Sequence, residues 1–367
     1  MFKPKSPRVY SLLGKFLTKQ KSKVSNRLTP LYKKLTKSQT QLIKNSGELV
    51  TPESYVVWGY RLFLDREPEN QAVVDEKVKE FTNSQELRKV FILSDEFRKN
   101  GHILHSAALL GDEPMMIIED TCSEAELNLL FEHIQDAWTY LGETDPYYYV
   151  CISKDFEKTN IQKTEETFYN SGKHDVVRLF KTMERNGIDY TPFKSCLEYG
   201  CGVGRVTHWL AESFEVVHGY DISPAHLQIA EKYLNSKNIQ NVVLHQIRKI
   251  REIERFPKVD LIYSVIVLQH NPPPIINFII RQFIRALNPN GIALFQVPTY
   301  RLGYKFLLQE YSSSDATIRE LEMHVLPQSK IFEVIRQEGG KLIEIIEDGC
   351  TGLRYKEMSN TFLVQKE

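Results

Sequence analysis

The stretch Leu197-Glu198-Tyr199-Gly200-Cys201-Gly202-Val203-Gly204-Arg205 constrains this chain more than any other. A short apolar approach leads into it, and Val206, Trp209 and Leu210 follow at a spacing that suits a helix. Glycines at 200, 202 and 204 therefore sit in a strand-to-helix turn nearly free of side-chain bulk, where a ligand can press against the backbone. A second apolar run, Val216-Val217-His218-Gly219-Tyr220, ends at Asp221. That carboxylate stands about 20 residues beyond Gly200, where an α/β nucleotide site keeps its ribose-binding acid. Together the two features point to an adenosine-containing cofactor.

The spacing also separates cofactors. A dinucleotide site needs G-x-G-x-x-G, its third glycine packing helix on strand. Counting from Gly200 puts Arg205 in that place, and counting from Gly202 puts Thr207 there. The dinucleotide pattern fails in both registers. What stands instead, E-x-G-x-G-x-G followed by G-Y-D-I-S, resembles motif I and the acidic loop of class I S-adenosylmethionine-dependent methyltransferases. The resemblance implies S-adenosyl-L-methionine as cofactor. It also implies a cofactor site built from Glu198, Gly200, Cys201, Gly202, Gly204, Asp221 and Ile222, with Ser264 at the end of a later strand. Glu198 would help hold the methionine end through the loop, and Asp221 would accept both ribose hydroxyls, since a carboxylate can take several donors. Ser223 and Pro224 read better as the start of the next helix, at N-cap and N1. The family's acid at the adenine does not occur in Leu244-His245-Gln246-Ile247-Arg248-Lys249-Ile250. Adenine is then left to backbone or Gln246, with Ile247 and Arg248 as the loop candidates.

Charge is distributed unevenly. Lys+Arg and Asp+Glu are 47 each in 367 residues, yet the first 44 residues hold twelve basic side chains and no acid precedes Glu48. The remainder is acidic on balance, which argues against duplex nucleic acid as a partner of the catalytic part. Residues 1–50 read as a basic, flexible arm in which Val9, Leu12, Leu13, Phe16 and Leu17 could form one short amphipathic helix. Its candidate roles are a solvated tail, peripheral contact with an anionic membrane, or binding of nucleic acid. Five cysteines, at 122, 151, 196, 201 and 350, form no C-x-x-C pair, so a reducing, cytoplasmic setting without disulfides or a metal site is expected. No apolar run approaches the roughly 20 residues of a spanning helix.

Residues 51–101 carry Y-R-L-F-L-D-R-E-P (60–68) and F-I-L-S-D-E-F-R (91–98) around a polar helical pattern. This resembles a small helical bacterial module often found with enzymes of surface-glycan assembly, and Arg66 and Glu67 read as a turn between helices. Residues 102–189 are expected to form a helical linker or lid. Ser123 and Glu126 make a capping box before a helix with Leu127, Leu130, Phe131, Ile134, Trp138 and Leu141 on one face. Tyr147, Tyr148 and Tyr149 follow, as packing or as a cover for the cofactor, and a second helix is expected from about 175 to 185. Over 190–367 strands alternate with helices. Strands are expected at 195–198, 215–220, 242–245, 260–267, 291–297, 341–347 and 360–365; helices at about 206–214, 225–235, 275–287 and 329–337. That alternation means an α/β fold with a doubly wound sheet. The resemblance implies its Rossmann-like methyltransferase form, and the paired terminal strands suit that form's antiparallel last strand.

On the acceptor side, Leu268-Gln269-His270-Asn271-Pro272-Pro273-Pro274 resembles the N-P-P-Y motif of adenine-N6 DNA methyltransferases only in part. The asparagine does not directly follow the strand, and Pro274 offers no ring, so the prolines read as the opening of a helix. Methyl transfer needs positioning first, and a base only where the nucleophile must lose a proton. His270 and His324 are the candidate catalytic residues, with Tyr300, Arg301 and Tyr304 as pocket candidates by position. The segments Y-Y-Y-V, F-Y-N-S-G, V-L-Q-H-N-P-P-P, F-Q-V-P-T-Y and M-H-V-L-P, with the glycine motif, resemble one bacterial methyltransferase subfamily over roughly 140–367. The expected activity is methyl transfer to a hydroxyl of a small molecule or glycan. The alternatives are methylation of nucleic acid or protein, or a non-catalytic cofactor-binding interaction protein.

Overall fold

The structure is a computed structural model that describes residues 51–94, 96, 97, 109, 111, 113–312, 321–351 and 357–367. The basic arm, with Val9, Leu12, Leu13, Phe16 and Leu17, lies outside the described residues, as do Asp95 and Arg98. The chain divides into two compact units, Met1–Ser106 and Ala107–Glu367.

In the first unit, three short helices each start where a side chain caps free N–H groups: α1 (Pro52–Leu64) at Thr51, α2 (Gln71–Val78) at Asn70 and α3 (Ser84–Ile92) at Asn83. Val56, Tyr60, Leu64, Val74, Leu87 and Phe91 form the core. Gly59 is required there, because a Cβ would fall 2.3 Å from the Phe91 ring. Arg66 pairs with Glu96 and Glu69 and lies 4.7 Å over the Tyr60 ring, so it ties the turn after α1 to the end of the module.

In the second unit, the predicted capping box starts α4 (Glu124–Thr144), with Ser123 and Glu126 exchanging hydrogen bonds. Pro146 opens the short α5 (Pro146–Val150), and α6 (Ile161–Arg185) begins well before the expected 175. The strands of the main sheet are β1 (Ser195–Tyr199), β2 (Val216–Asp221), β3 (Val242–Gln246), β4 (Val259–Ser264), β5 (Leu287–Arg301), β6 (Gly340–Glu347) and β7 (Glu357–Lys366). Between them run α7 (Thr207–Leu210), α8 (Pro224–Ser236), α9 (Pro273–Ala286), α10 (Leu308–Ser312) and α11 (Gln328–Gln337).

These seven strands form one sheet in the order β3-β2-β1-β4-β5-β7-β6. The first five are parallel, and β7 inserts antiparallel between β5 and β6. This is the Rossmann-like methyltransferase sheet anticipated from the alternation and the resemblance, with its reversed last strand. Cys196 faces a layer containing α6 and α7 residues such as Leu179 and Leu210, whereas Leu197 and Tyr199 face α4 and α9. Helices on both faces explain why the inner strands read as unbroken apolar runs. On α9 alone, Ile275, Ile276, Ile279, Ile280, Phe283 and Ile284 are fully buried, each stabilising by about 1.5–3 kcal/mol. Among the described residues, no helix is long and apolar enough to cross a membrane.

Two departures matter for the site. The helix expected to run to Phe214 is only Thr207–Leu210, because three-residue turns such as Ser213 N–H to Leu210 O take over. The strand expected to reach Val267 stops at Ser264, and Ile266 adopts φ 61.

Candidate active site

A crevice opens at the carboxyl ends of β1, β2 and β4, beside the point where the strand order reverses. Glu198, Gly200, Cys201 and Gly202 line it from the loop after β1, and Asp221 and Ile222 from the end of β2. Ile247 closes one wall. All of these are among the candidates read from the glycine pattern.

The loop geometry follows from its glycines. Gly200 has φ 75 and Gly202 φ 54, a region that costs a side-chain-bearing residue about 1–3 kcal/mol. A Cβ at Gly200 would come 2.4 Å from Val267, and one at Gly202 would come 2.8 Å from Val150. The turn brings Gly202 N–H to Asp221 Oδ2 at 2.8 Å, while Ser223 N–H reaches Asp221 Oδ1 at 2.8 Å. A carboxylate has about four acceptor positions, so Asp221 retains capacity for two ligand hydroxyls. Ser223 caps α8 and Pro224 opens it, as expected.

Glu198 is 4% exposed. Burial pushes its carboxyl up to about 8, against a hydrogen bond from Thr207 Oγ1 at 2.6 Å and the nearby charge of Arg205. Arg205 pairs with Asp175 at 2.7 Å, and its Nε has no partner among the described residues. These are traits of a polar site finished by a ligand: an acid denied solvation, open carboxylate positions, and donors left over.

Three candidates stand elsewhere. Gly204, at φ 84, serves packing, its missing side chain facing Ala230 of α8 at 3.4 Å. Arg248 is outside the crevice: it is exposed, and its N–H donates to Glu252 at 2.7 Å. Ser264 is outside as well, its hydroxyl donating to Tyr199 O at 3.0 Å and so tying β4 to β1. The backbone of Ile247 is engaged too, with its N–H on Asp221 O and its carbonyl accepting from Gln135.

Several lining residues lie outside the glycine pattern and its acid. Ile134, Trp138, Tyr149 and Val150 reach the crevice from helices that precede the sheet, and His226 and Asn271 from the starts of α8 and α9. Trp138 and Ile134 lie on the face of α4 read only as core. Of the three tyrosines, Tyr149 lines the crevice, whereas Tyr147 packs edge-on against Phe168.

The structure places both acceptor-side histidines off the crevice wall. His270 is buried and absent from the crevice wall. Its Nδ1 donates to Glu322 O at 2.8 Å and its Nε2 accepts from Gln269 at 3.1 Å. Burial holds its pKa down to about 4, so it is neutral and a poor base at neutral pH. It belongs to a chain of hydrogen bonds. Ile266 N–H donates to Gln296 Oε1, Gln296 donates to Gln269, and Gln269 donates to His270. The strained turn at Ile266 is thereby braced by the interior.

His324 is also buried away from the crevice wall. Tyr304 donates to its Nδ1 at 2.8 Å, and its Nε2 meets Glu322 Oε2 at 2.7 Å. Tyr311 and His133 also bond the Glu322 carboxylate, at 2.7 and 3.2 Å. Burial alone would raise Glu322, but the hydrogen bonds from His324, Tyr311 and His133 outweigh it and hold the acid at about 2. The other positional candidates are engaged too: Tyr300 donates to Pro114 O, and Arg301 pairs with Glu357 and Met323 O. Asn271 donates to Val267 O, while Pro272 and Pro273 open α9, as the proline run suggested. Among the described residues no group of three or more His, Cys, Asp or Glu converges as a metal site.

Residues 197–293 match the family model described as a methyltransferase domain. No curated protein matches the chain. Among solved structures it is similar to magnesium protoporphyrin IX methyltransferase (ChlM) from Synechocystis PCC 6803 with bound S-adenosylhomocysteine, at 14% identity, covering 65% of this chain and 100% of that one, TM-score 0.46. It is also similar to N-methyltransferase NodS from Bradyrhizobium japonicum WM9, at 15% identity, covering 63% and 99%, TM-score 0.40. A third is an S-adenosylmethionine-dependent methyltransferase from Clostridium acetobutylicum, at 14% identity, covering 54% and 92%, TM-score 0.39. Residues 197–293 thus match a methyltransferase domain and lie within a Rossmann-like α/β unit.

Proposed function

We propose that the chain transfers the methyl group of S-adenosylmethionine to a hydroxyl of a small molecule or glycan. The observation that carries the cofactor half is the pairing of Gly202 N–H with Asp221 Oδ2 at 2.8 Å, which folds the glycine loop around an acid that still has acceptor capacity. Asp221 would hold the ribose hydroxyls, and Glu198, with the loop, the methionine end. The cofactor supplies an activated methyl group, and the chain's part is to align and desolvate the approach. Trp138 and Tyr149 supply aromatic walls at which a sulfonium charge is favourable.

For the acceptor, His324 would act through position: Tyr304 and Glu322 orient its ring, and the network holds the acceptor-side wall in place. His270 would act through position alone, holding the segment around Glu322 in place. The glycan class rests on the resemblance of the helical module, and attachment to an anionic membrane face on the twelve basic residues near the N-terminus.

Calorimetric titration with S-adenosylmethionine, S-adenosylhomocysteine and NAD tests the first half. Both adenosyl ligands should bind, NAD should not, and Asp221→Ala should weaken binding by about tenfold to a hundredfold, as expected for a lost charged hydrogen bond. Transfer of labelled methyl to a panel of hydroxyl, amine and nucleic-acid acceptors tests the second. Labelling confined to amines or nucleic acid would overturn the hydroxyl assignment.

A further inference from the structure

Asp221 has a buried neighbour with an unfilled hydrogen-bonding position. His226, in the first turn of α8, is 1% exposed and lines the same crevice. Its Nδ1 stands 3.9 Å from Asp221 Oδ1, beyond hydrogen-bond reach, and its Nε2 has no partner among the described residues. A buried imidazole nitrogen without a partner is costly, and folded proteins rarely keep one unless something outside the chain satisfies it.

Packing covers that nitrogen but gives it no hydrogen-bond partner among the described residues. Helix α4 crosses the first turn of α8 at Gly142, where a Cβ would lie 3.3 Å from Nε2 and 2.3 Å from Ser223 Oγ. One turn earlier on α4, Trp138 also lines the crevice, its ring centre 6.3 Å from that of His226. The ring is thus fixed between α4 and Asp221 with one polar atom unused.

We propose that His226 is a second contact to the nucleoside of the cofactor, its Nε2 meeting a ribose hydroxyl that Asp221 also binds. This rests on the cofactor reading above. The chemistry of the pair is complementary. Asp221 can only accept, so the hydroxyl gives its hydrogen to the carboxylate, and its oxygen then accepts from an Nε2–H. Asp221 and His226 together would use both hydrogen-bonding roles of one hydroxyl, which a carboxylate alone cannot do.

The test is a titration of S-adenosylhomocysteine and its 2′-deoxy and 3′-deoxy ribose analogues against wild type, Asp221→Ala, His226→Leu and His226→Gln. Thermal unfolding of each variant reports whether it is folded. His226→Leu should bind S-adenosylhomocysteine about tenfold or more weakly. In that variant, removing one of the two hydroxyls should cost far less than it costs wild type, and His226→Gln, which keeps an N–H donor, should recover part of the loss. Wild-type affinity in His226→Leu would overturn the proposal. So would an equal loss for all three ligands, which would mean that the ring only packs or that water fills its open position. Failure of the cofactor reading looks different: folded wild type would bind none of the three, and Asp221→Ala would change nothing.

Discussion

A buried carboxylate and a half-buried one in the second unit face opposite fates. Glu198, in the crevice, has one hydroxyl donor, and burial pushes it up to about 8. Glu322, on the acceptor side, is held at about 2 by His324, Tyr311 and His133. The nucleoside half of the site is left with open positions: the carboxylate of Asp221, the Nε of Arg205 and the Nε2 of His226. The acceptor half is closed, its His270, His324, Tyr304 and Gln269 satisfying one another. A polar group without a partner is tolerated inside a protein where a ligand is to supply one, whereas a filled network holds a wall in place.

The largest effect that could break this comparison is at Gly200. Gly200→Ala puts a Cβ 2.4 Å from Val267 at a positive φ. It should lower stability by about 2–5 kcal/mol and abolish S-adenosylhomocysteine binding, as read by urea unfolding and calorimetry. A variant that keeps both would remove the loop from the site.

The carboxylates give the next effect, with opposite signs. The pKa of Glu198 is raised, so its contribution to stability is present below the ordinary carboxylate value and is lost as pH rises through about 8. Glu198→Gln should therefore gain melting temperature relative to wild type between pH 5 and pH 8.5. The pKa of Glu322 is depressed, so its contribution is present above the ordinary value and is lost as pH falls through about 2. Glu322→Gln should be less stable than wild type at pH 7, with the gap narrowing in acid. Parallel pH profiles for the two variants would end the contrast.

A smaller change separates the halves. His324→Phe strips partners from Glu322 and Tyr304 and should cost about 1–3 kcal/mol of stability, while affinity for S-adenosylhomocysteine stays within about twofold of wild type. A large fall in that affinity would mean that the acceptor-side network reaches the cofactor. Smallest of all is Arg248→Ala. Its exposed side chain stands outside the crevice, so binding should be unchanged within about twofold, and a marked loss would return Arg248 to the adenine wall.

How much was legible follows the same division. Glycines alternating after an apolar run, with an acid at the end of the next strand, are local facts, and backbone sterics turn them into a loop around Asp221. The residues that line the other walls come from far away in sequence. Ile134 and Trp138 look like ordinary core positions on α4, and only the packing of that helix over the sheet brings them to the ligand side. Periodicity reports which face of a helix is apolar, and it is silent on whether that face meets a strand or a cavity. His270 and His324 were picked out by residue type and position, but a histidine's chemistry is set by burial and partners, which the sequence pattern does not carry.

The sequence by itself determined the alternation of strands and helices, the helix caps at Ser123 and Ser223, the proline start of α9 and the glycine loop. Each of these is set by periodicity, backbone sterics or a hydrogen bond spanning a few residues. Tertiary structure alone decided that Ser264 braces β1, that Gly204 is a packing residue and that His270 is held near pKa 4. It also decided that the Nε2 of His226 is left without a partner beside Asp221. Those outcomes depend on which atoms approach from the far side of the chain, and on how much water they displace when they arrive.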